Sequence, residues 1–450
     1  MLLVGGDARD NLQEGGFRFS AAGGLSGTRI RREASPAEAS TAAQRQLDSA
    51  KHAALEPLNP MTDIAKAETA SPTDLAAARD ARRSAREFAE RALNADLTAR
   101  DREGRFSRAA WEACAAFGVQ GLAVPPEYGG TRADLRMVMA VMEGLGEGSA
   151  DNGLLFSLNA QMWSVQAPLA KFGSAEQRTR YLPGLARGEL IGAHGMTEPG
   201  SGSDAFSLTT RADRRGDTYV LNGRKTFITN APVADVFVIF ASVDLSLGVG
   251  GVTAFVVDRG TTGLSIPREE EKMGMRTSPM GDVLLEDCEI PLSQRLGREG
   301  AGAALFSSSM EWERGAILSV AVGAMERELR RCLDYASIRK QFQQPIVKFP
   351  AVANRLADVK VRIEASRALL AQVATLKDAG EPAAMEAAVA KLYVSEAWVQ
   401  TMLDLQQVYG ASGYMRENNI ERDLRDALGS RIYSGTSDMQ RLIIARWLAA

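Results

Sequence analysis

The sequence predicts a mainly α-helical protein with a central β domain: an N-terminal helical domain, a middle antiparallel β domain and a C-terminal four-helix bundle. Apolar residues follow the helical period up to about residue 188 and again after about residue 300. Between these regions, short β-branched and aromatic runs alternate with turn residues, and no crossover helix separates them. The predicted domains are 71–191, 192–299 and 300–450, and 450 residues suffice for two to four domains.

Residues 1–70 differ in composition from the rest of the chain. Glycine pairs give way to an Ala/Ser/Glu tract without a sustained hydrophobic period, so we predict a disordered extension. Arg29, Arg31 and Arg32 form a cluster typical of targeting peptides, but Asp7 and Asp10 lie where such peptides avoid acidic residues.

The N-terminal domain is predicted to begin with a helix that ends near residue 93, because Ser71 and Pro72 form a helix-start signal. The loop 125–130 is rich in proline and glycine, and Gly188 closes the helical region. The other helices predicted in this domain are 107–117, 135–144, 152–172 and 175–186.

The middle domain is predicted from short runs that favour β-strands. Asn222 and Gly223 separate the first two runs, and this dipeptide is the strongest two-residue hairpin signal. The predicted strands are 218–221, 225–229, 236–240, 252–257, 263–266 and 283–290.

The C-terminal domain returns to the helical period. Residues 316–324 are apolar on almost every side, which a helix tolerates when neighbouring helices surround it. Long helices are predicted at 350–377, 383–410 and 437–448, so a helix bundle fits.

Composition excludes several classes of function. A net charge of −3 gives no reason to expect nucleic-acid binding, and no apolar run is long enough to span a membrane. Three scattered cysteines favour a reducing compartment, so we expect a cytoplasmic protein. With only two histidines, no metal site is expected.

The segment 192–204 surrounds Thr197 and Glu198 with glycines, serines and a proline, so its main-chain N–H groups can approach an anionic or heteroaromatic ligand. By itself it is explained equally well as a surface loop between domains. Three further segments follow it: Asn-Gly-Arg-Lys-Thr-Phe-Ile-Thr-Asn at 222–230, Arg-Lys-Gln-Phe at 339–342 and Tyr-Ser-Gly-Thr-Ser at 433–437. This series, from about residue 70 to the C-terminus, resembles the acyl-CoA dehydrogenase family of FAD flavoproteins.

The resemblance implies an FAD cofactor. The positions that match the family's FAD contacts are Met196, Thr197, Gly202, Ser203, Phe227, Thr229, Arg339, Gln341, Phe342, Gln407, Thr436 and Asp438. Phe227 is expected beside the flavin ring, although an isolated phenylalanine here would be read as strand core. The family segment at 339–342 reaches the cofactor of a neighbouring subunit, so a homodimer or homotetramer is expected. Without the resemblance, Arg339 is a surface charge.

The catalytic base is predicted to have moved from its commoner place in the family. Many members carry a glutamate before Gly-Thr, where this chain has Ser434, and a hydroxyl is too weak a base for an α-proton. A minority branch carries the glutamate at the start of a C-terminal-domain helix, immediately before an arginine. Glu313 matches that position, with Glu311 in reserve.

Residues Ile317, Val320 and Ala324 follow Glu313 at helical spacing, and this apolar stripe is expected to raise its pKa by desolvation. The alternative is an acid in the first turn of a helix, which is common for glutamate. The positions expected near the substrate are Ser203, Arg314, Ser434 and Gly435.

These expectations together describe FAD-dependent α,β-dehydrogenation of an acyl thioester carried by CoA or by an acyl carrier protein. The electron acceptor is expected to be an electron-transfer flavoprotein or oxygen. Two alternatives remain: a flavin-dependent monooxygenase or oxidase on the same fold, and a flavin-binding relative without catalytic activity.

Overall fold

The computed structural model describes residues 72–449, so the extension predicted for 1–70 lies outside the described residues. The Ser107 side chain accepts a hydrogen bond from the Ala110 N–H at one helix start, and Ser174 and Gln177 form a capping box at another. The helices before the sheet are α1 (Pro72–Ala92), α2 (Leu97–Glu103), α3 (Arg108–Phe117), α4 (Leu135–Gly148), α5 (Asn152–Gln161), α6 (Ala167–Phe172) and α7 (Ala175–Ala186). The N-terminal helical region is therefore confirmed, while α2 was missed.

The helix predicted over 152–172 is interrupted by a π-helical turn at Met162–Gln166. A π turn adds one residue and changes the direction in which side chains project, and such turns occur often at functional sites. The Trp163 carbonyl in this turn accepts a hydrogen bond from the Ser309 hydroxyl at 2.9 Å. This contact ties the turn to the C-terminal helices.

The middle region forms one eight-stranded sheet with the order β6-β7-β3-β2-β4-β5-β8, and β1 pairs with β4 beside this path. Most pairings are antiparallel, as predicted, but β4 pairs in parallel with β1 and, at Arg211 and Ser242, with β2. The strands are β1 (Gly192–Gly195), β2 (Arg211–Arg215), β3 (Thr218–Thr229), β4 (Val236–Ser242), β5 (Val252–Asp258), β6 (Leu264–Ser265), β7 (Met280–Pro291) and β8 (Arg295–Leu296).

The hairpin predicted at Asn222 and Gly223 is wrong, because β3 continues through both residues. The pairing of β3 with β7 shifts register between Leu221 and Gly223, so the dipeptide marks a β-bulge. A Cβ at Gly223, whose φ is 155°, would lie 2.4 Å from the Thr210 hydroxyl oxygen. Glycine is therefore required here by the close approach of the neighbouring chain, not by a turn.

The C-terminal region is a helix bundle, and a break at Ile317 and Leu318 interrupts the apolar stretch predicted as one helix. Among residues 72–449, no helix is long and apolar enough to cross a bilayer. The elements are α8 (Gly302–Ala316), α9 (Ser319–Ile338), a hairpin of β9 (Lys340–Gln341) and β10 (Gln344–Pro345), then α10 (Pro350–Asp378), α11 (Ala384–Tyr409), α12 (Ile420–Gly429) and α13 (Ser437–Leu448).

Helix α8 contacts elements of all three regions described above. It packs against the π turn, against β5 of the sheet and against α11 of the bundle. Side chains on α8 can therefore meet groups from all three regions.

Candidate active site

Glu313 lies on α8 and is only 8% exposed. The Ser164 hydroxyl, from the π turn, donates a hydrogen bond to its Oε2 atom. The Ser434 hydroxyl, from the turn before α13, donates to its Oε1 atom. Three segments that are distant in sequence thus meet at one carboxylate.

Burial raises the pKa of the Glu313 carboxyl above its ordinary value. The two serine hydroxyls and the positive charges of Arg314 and Lys391 oppose this effect without cancelling it. A carboxylate with a raised pKa is suited to act as a general base near neutral pH.

The predicted cause of this burial was wrong in part. Glu313 lies near the end of α8, not at the start of a helix, so the alternative of a first-turn acid is also wrong. The helix breaks at Ile317 and Leu318, so the predicted stripe does not continue along one helix. Ile317, Val320 and Ala324 are nevertheless buried, and α8 also packs against the π turn and α11.

The turn at Ser434 and Gly435 has left-handed backbone, with φ of 56° and 90°. Arg314 Nε donates to the Ser434 carbonyl at 3.1 Å, and Lys391 Nζ donates to the Gly435 carbonyl at 2.7 Å. Gln440 Nε2 donates to both carbonyls, at 3.2 and 2.9 Å. Side chains from three helices therefore fix a backbone conformation that is costly for serine.

Lys391 is fully buried on α11, and burial together with Arg314 lowers its pKa to about 8. Burial also lowers the pKa of Arg314. Arg314 and Ser434, both predicted to lie near the substrate, contact each other here, whereas Lys391, Gln440 and Ser164 were not predicted. Lys391 and Ser164 each interrupt an apolar helical run, and that interruption was the available signal.

Glu311, the reserve candidate, does not join this cluster. Its Oε1 atom accepts hydrogen bonds from Lys377 Nζ at 2.8 Å and from the Ala383 N–H at 3.0 Å. The carboxylate is held by a cation and the start of α11, which is a structural environment.

The segment 192–204 begins on β1, and the carboxylate of Glu198 connects it to β3 and to residues 209–210 through hydrogen bonds. Burial acts to raise the pKa of Glu198, but Lys225 at 2.8 Å and the hydrogen bonds of Thr209 and Thr210 lower it to about 2. Met196 is buried, Thr197 is half-buried, and Gly202 and Ser203 are exposed. The loop has a rigid base and an open outer side.

Phe227 lies beside this loop with a left-handed backbone, φ 57°, and is 60% exposed. The Thr226 N–H donates to the Thr197 carbonyl at 2.9 Å, which fixes the strand to the loop, and Thr229 ends β3 half-buried. An aromatic face held open beside hydroxyls and loop N–H groups fits a flavin ring.

The loop and the Glu313 helix are adjacent. Phe306 lies two helical turns before Glu313 on α8, and its ring stacks on His194 of β1 with centroids 5.9 Å apart. His194 lies within the segment 192–204, two residues before Met196. Helix α8 therefore contacts β1, on which the segment 192–204 begins, and carries Glu313 two turns further along.

The remaining predicted FAD contacts lie elsewhere on the chain. Arg339, Gln341 and Phe342 lie in the exposed β9–β10 segment, and Gln407 is also exposed. Asp438 is exposed and pairs with Arg441 at 2.9 Å. Thr436 caps α13 by accepting from the Met439 N–H at 3.2 Å. No hydrogen bond among residues 72–449 joins the first four to the Glu313 cluster.

The helical, β, helical order, with an open Gly/Ser-rich loop and a buried carboxylate on α8, is the arrangement expected of a flavin-dependent oxidoreductase. Models of the N-terminal, middle and C-terminal domains of acyl-CoA dehydrogenases match residues 76–189, 193–288 and 300–449. The chain belongs to the acyl-CoA dehydrogenase family.

Among its relatives is an L-prolyl-[peptidyl-carrier protein] dehydrogenase of Serratia sp., 40% identical over 365 residues, which are 81% of this chain and 95% of the relative. A solved structure described as "Prolyl Acyl Carrier Protein Oxidase AnaB" is 45% identical, with a TM-score of 0.82 over 85% of this chain and all of that chain. Another, "PigA with FAD and proline", is 37% identical with a TM-score of 0.81 over 85% of this chain and 99% of that one. The chain is thus an FAD-dependent enzyme that dehydrogenates the α and β carbons of an acyl thioester.

Proposed function

We propose that the acyl group is an aminoacyl group carried by a carrier protein, with L-proline as the first candidate, and that Glu313 is the base. The observation that carries the proposal is the buried Glu313 carboxylate bonded by Ser164 and Ser434 hydroxyls. This observation supports the role of Glu313 as base. The choice of a prolyl group is supported by the two relatives described as acting on prolyl carriers.

The chemistry assigns one role to each group. Glu313 takes the α-proton on Oε1, and the β-carbon loses a hydride, so the thioester gains a carbon–carbon double bond. Bound FAD supplies the two-electron acceptor for that hydride. The backbone N–H of Ser434 faces the thioester carbonyl and stabilises the negative charge that develops there.

The FAD contacts remain those assigned by the resemblance. Met196, Thr197, Gly202, Ser203, Phe227 and Thr229 would hold the flavin half, and Thr436 lies near the substrate turn. Support comes from the exposed face of Phe227 beside the loop. We assign five residues to the cofactor of a neighbouring subunit, because they are exposed and no hydrogen bond among residues 72–449 joins them to the Glu313 cluster. These residues are Arg339, Gln341, Phe342, Gln407 and Asp438.

This assignment requires a homodimer or homotetramer. Phe342 is 89% exposed at the hairpin tip and Ile338 is 78% exposed beside it, and apolar surface of this kind is typical of subunit contacts. We further propose an electron-transfer flavoprotein as electron acceptor, with oxygen as the alternative. The described cysteines are buried and unpaired, which supports a cytoplasmic location.

The test is anaerobic mixing of the FAD-loaded enzyme with a peptidyl carrier protein loaded with L-proline, while the oxidised flavin absorbance is followed. The unloaded carrier is the control, and butyryl-CoA forms the second arm. We expect rapid loss of absorbance with the prolyl carrier and slow or no loss with butyryl-CoA. Reduction by butyryl-CoA but not by the prolyl carrier would overturn the proposed substrate class, and reduction by neither would exclude both acyl groups as substrates.

A further inference from the structure

We infer that Ser164 is a positioning residue for the reaction: its hydroxyl fixes Oε2 of Glu313, so that Oε1 faces the substrate side at the Ser434 turn. The inference rests on the proposed function of Glu313 as base. It concerns a residue that sequence reasoning did not identify, and it assigns a purpose to the π turn.

The direction of the Ser164 hydroxyl is unusual for a serine in a helix. Such hydroxyls commonly bond the carbonyl one turn earlier on their own helix. Ser164 instead bonds a carboxylate of another helix, and its side chain is almost fully buried. The π turn at Met162–Gln166 changes the direction of its side chains, and this change presents the hydroxyl to α8.

The π turn and α8 are joined by two hydroxyl contacts of different kinds. Ser309 of α8 donates to the Trp163 carbonyl at 2.9 Å, while Ser164 of the turn donates to Glu313. The first contact ends on a neutral carbonyl and can only hold the two segments together. The second ends on a carboxylate and therefore also affects its charge and orientation. Ser309 is thus a matched structural control for Ser164.

The charged groups around Glu313 do not replace this hydrogen bond. Arg314 of α8 and Lys391 of α11 donate to the Ser434 and Gly435 carbonyls, and the nearby Tyr433 ring is uncharged at neutral pH because burial and Glu313 raise its pKa. Within residues 72–449, Glu313 forms no ion pair, and the hydroxyls of Ser164 and Ser434 are the donors to its carboxylate. An ionised carboxylate buried this deeply depends on such donors.

The two serines differ in what the substrate requires of them. Ser434 lies on the turn whose backbone is assigned to the thioester carbonyl, and its hydroxyl bonds Oε1, which keeps a further lone pair for the α-proton. Ser164 bonds the opposite oxygen from within the helical layer and can remain bonded throughout. The proton therefore moves from the α-carbon to Oε1 while Oε2 stays fixed, and no further reactant is needed.

The test compares Ser164→Ala, Ser164→Thr and Ser309→Ala in the FAD-loaded enzyme by two measurements. The first is infrared difference spectroscopy of the protonated Glu313 carboxyl as a function of pH without substrate, with Glu313→Gln identifying the band. The second is the pH dependence of anaerobic flavin reduction by the prolyl-loaded carrier. Thermal unfolding of each variant shows whether the fold is retained.

Loss of a donor to the charged form raises the pH at which Glu313 ionises. In Ser164→Ala we expect the infrared midpoint and the acid limb of the reduction rate to move to higher pH by about one pH unit. Ser164→Thr keeps a hydroxyl and should restore the wild-type midpoint, and Ser309→Ala should leave it unchanged even if thermal stability falls.

An unchanged midpoint in Ser164→Ala, or an equal displacement in Ser309→Ala, would overturn the positioning role. The infrared measurement uses no substrate, so it fails or succeeds independently of the proposed function. Flavin reduction that persists at the wild-type rate in Glu313→Gln would instead remove the base assignment itself.

Discussion

The cluster around Glu313 and the β9–β10 hairpin are both predicted to serve the same reaction, yet their surroundings are opposite. Glu313 is 8% exposed, and both its carboxylate oxygens accept hydrogen bonds from side chains of other elements. The hairpin carries Phe342, 89% exposed, on a two-residue loop in which Phe342 and Gln343 have φ of 47° and 65°.

Left-handed backbone at both loop residues matches the twist of a hairpin, but Gly and Asn adopt it more easily than Phe and Gln. The hairpin thus presents a large apolar side chain to solvent in a costly conformation. The groups of the Glu313 cluster all come from one chain, whereas the exposed hairpin is better explained as a surface that contacts a second subunit. The difference suggests that the chemistry belongs to one subunit and cofactor retention to two.

Replacing Glu313 tests the buried cluster, and this change has the largest expected effect. Glu313→Gln keeps size and polarity but removes basicity, so flavin reduction by the substrate should fall by about 10² to 10⁴-fold. FAD content should stay unchanged because the carboxylate is assigned no cofactor contact. Stopped-flow absorbance under anaerobic conditions measures the rate.

Glu311→Gln is the matched control for this loss, since Glu311 is two residues away and bonds Lys377 and the Ala383 N–H instead. That variant should lose some stability and keep its reduction rate. If Glu311→Gln abolished reduction while Glu313→Gln did not, the base would have to move to Glu311, and the Glu313 cluster would be structural.

Replacing Arg339 tests the proposed contact of the hairpin with the cofactor of a second subunit. Loss of a charge-assisted hydrogen bond to the cofactor should weaken FAD binding by about 10 to 100-fold in Arg339→Ala, and FAD content should then depend on protein concentration. Flavin-to-protein absorbance ratios over a dilution series measure this. Lys340→Ala, which removes the neighbouring exposed cation, should retain its FAD. Full FAD retention in Arg339→Ala would contradict the assignment of Arg339 to a neighbouring subunit's cofactor.

Much of this architecture could be predicted from the sequence, because helical and strand periods depend on local patterns. The helix 175–186 was predicted at its observed bounds, since Ser174 supplies a cap and Gly188 lies beyond its end. The Asn222–Gly223 bulge was not predicted, because the same dipeptide serves a turn or a bulge and the choice depends on Thr210 in a neighbouring segment.

The site followed the same division. Glu313 and Ser434 could be named from sequence, and the structure brings them together. Ser164, Lys391 and Gln440 could not, because their roles depend on packing between helices and on a π turn. The position of Glu313 along its helix was also misjudged, since no proline marks the break at Ile317 and Leu318 and Gly315 lies inside α8.

The buried Lys391 gives a prediction about pH that sharpens the description of the Glu313 cluster. Its pKa is lowered to about 8 in the folded protein, from an ordinary value of 10.5. Below about pH 8 the charged lysine therefore lowers the free energy of unfolding, and this destabilisation disappears as pH rises towards 10.5. Lys391→Met has no such titration.

The free energy of unfolding of the wild type, minus that of Lys391→Met, should therefore rise between about pH 8 and 10.5, by on the order of 1 to 3 kcal/mol. Urea unfolding of the FAD-loaded proteins at several pH values measures the difference. A difference that stays constant over this range would mean that Lys391 does not titrate in the folded protein within it.

The smallest expected effect concerns Asp438, which is both a predicted cofactor contact and an exposed ion-pair partner of Arg441. If its carboxylate accepts a hydrogen bond from the ribose of a neighbouring subunit's FAD, Asp438→Ala should weaken FAD binding by about 3 to 10-fold. Asp438→Asn keeps an accepting oxygen and should retain most of the affinity. Arg441→Ala removes the ion pair and leaves the acceptor, and because exposed pairs contribute at most about 1 kcal/mol, both FAD content and stability should hardly change. Equal FAD loss in Asp438→Ala and Arg441→Ala would show that the pair orders α13 as a unit, and no loss in either would remove Asp438 from the cofactor site.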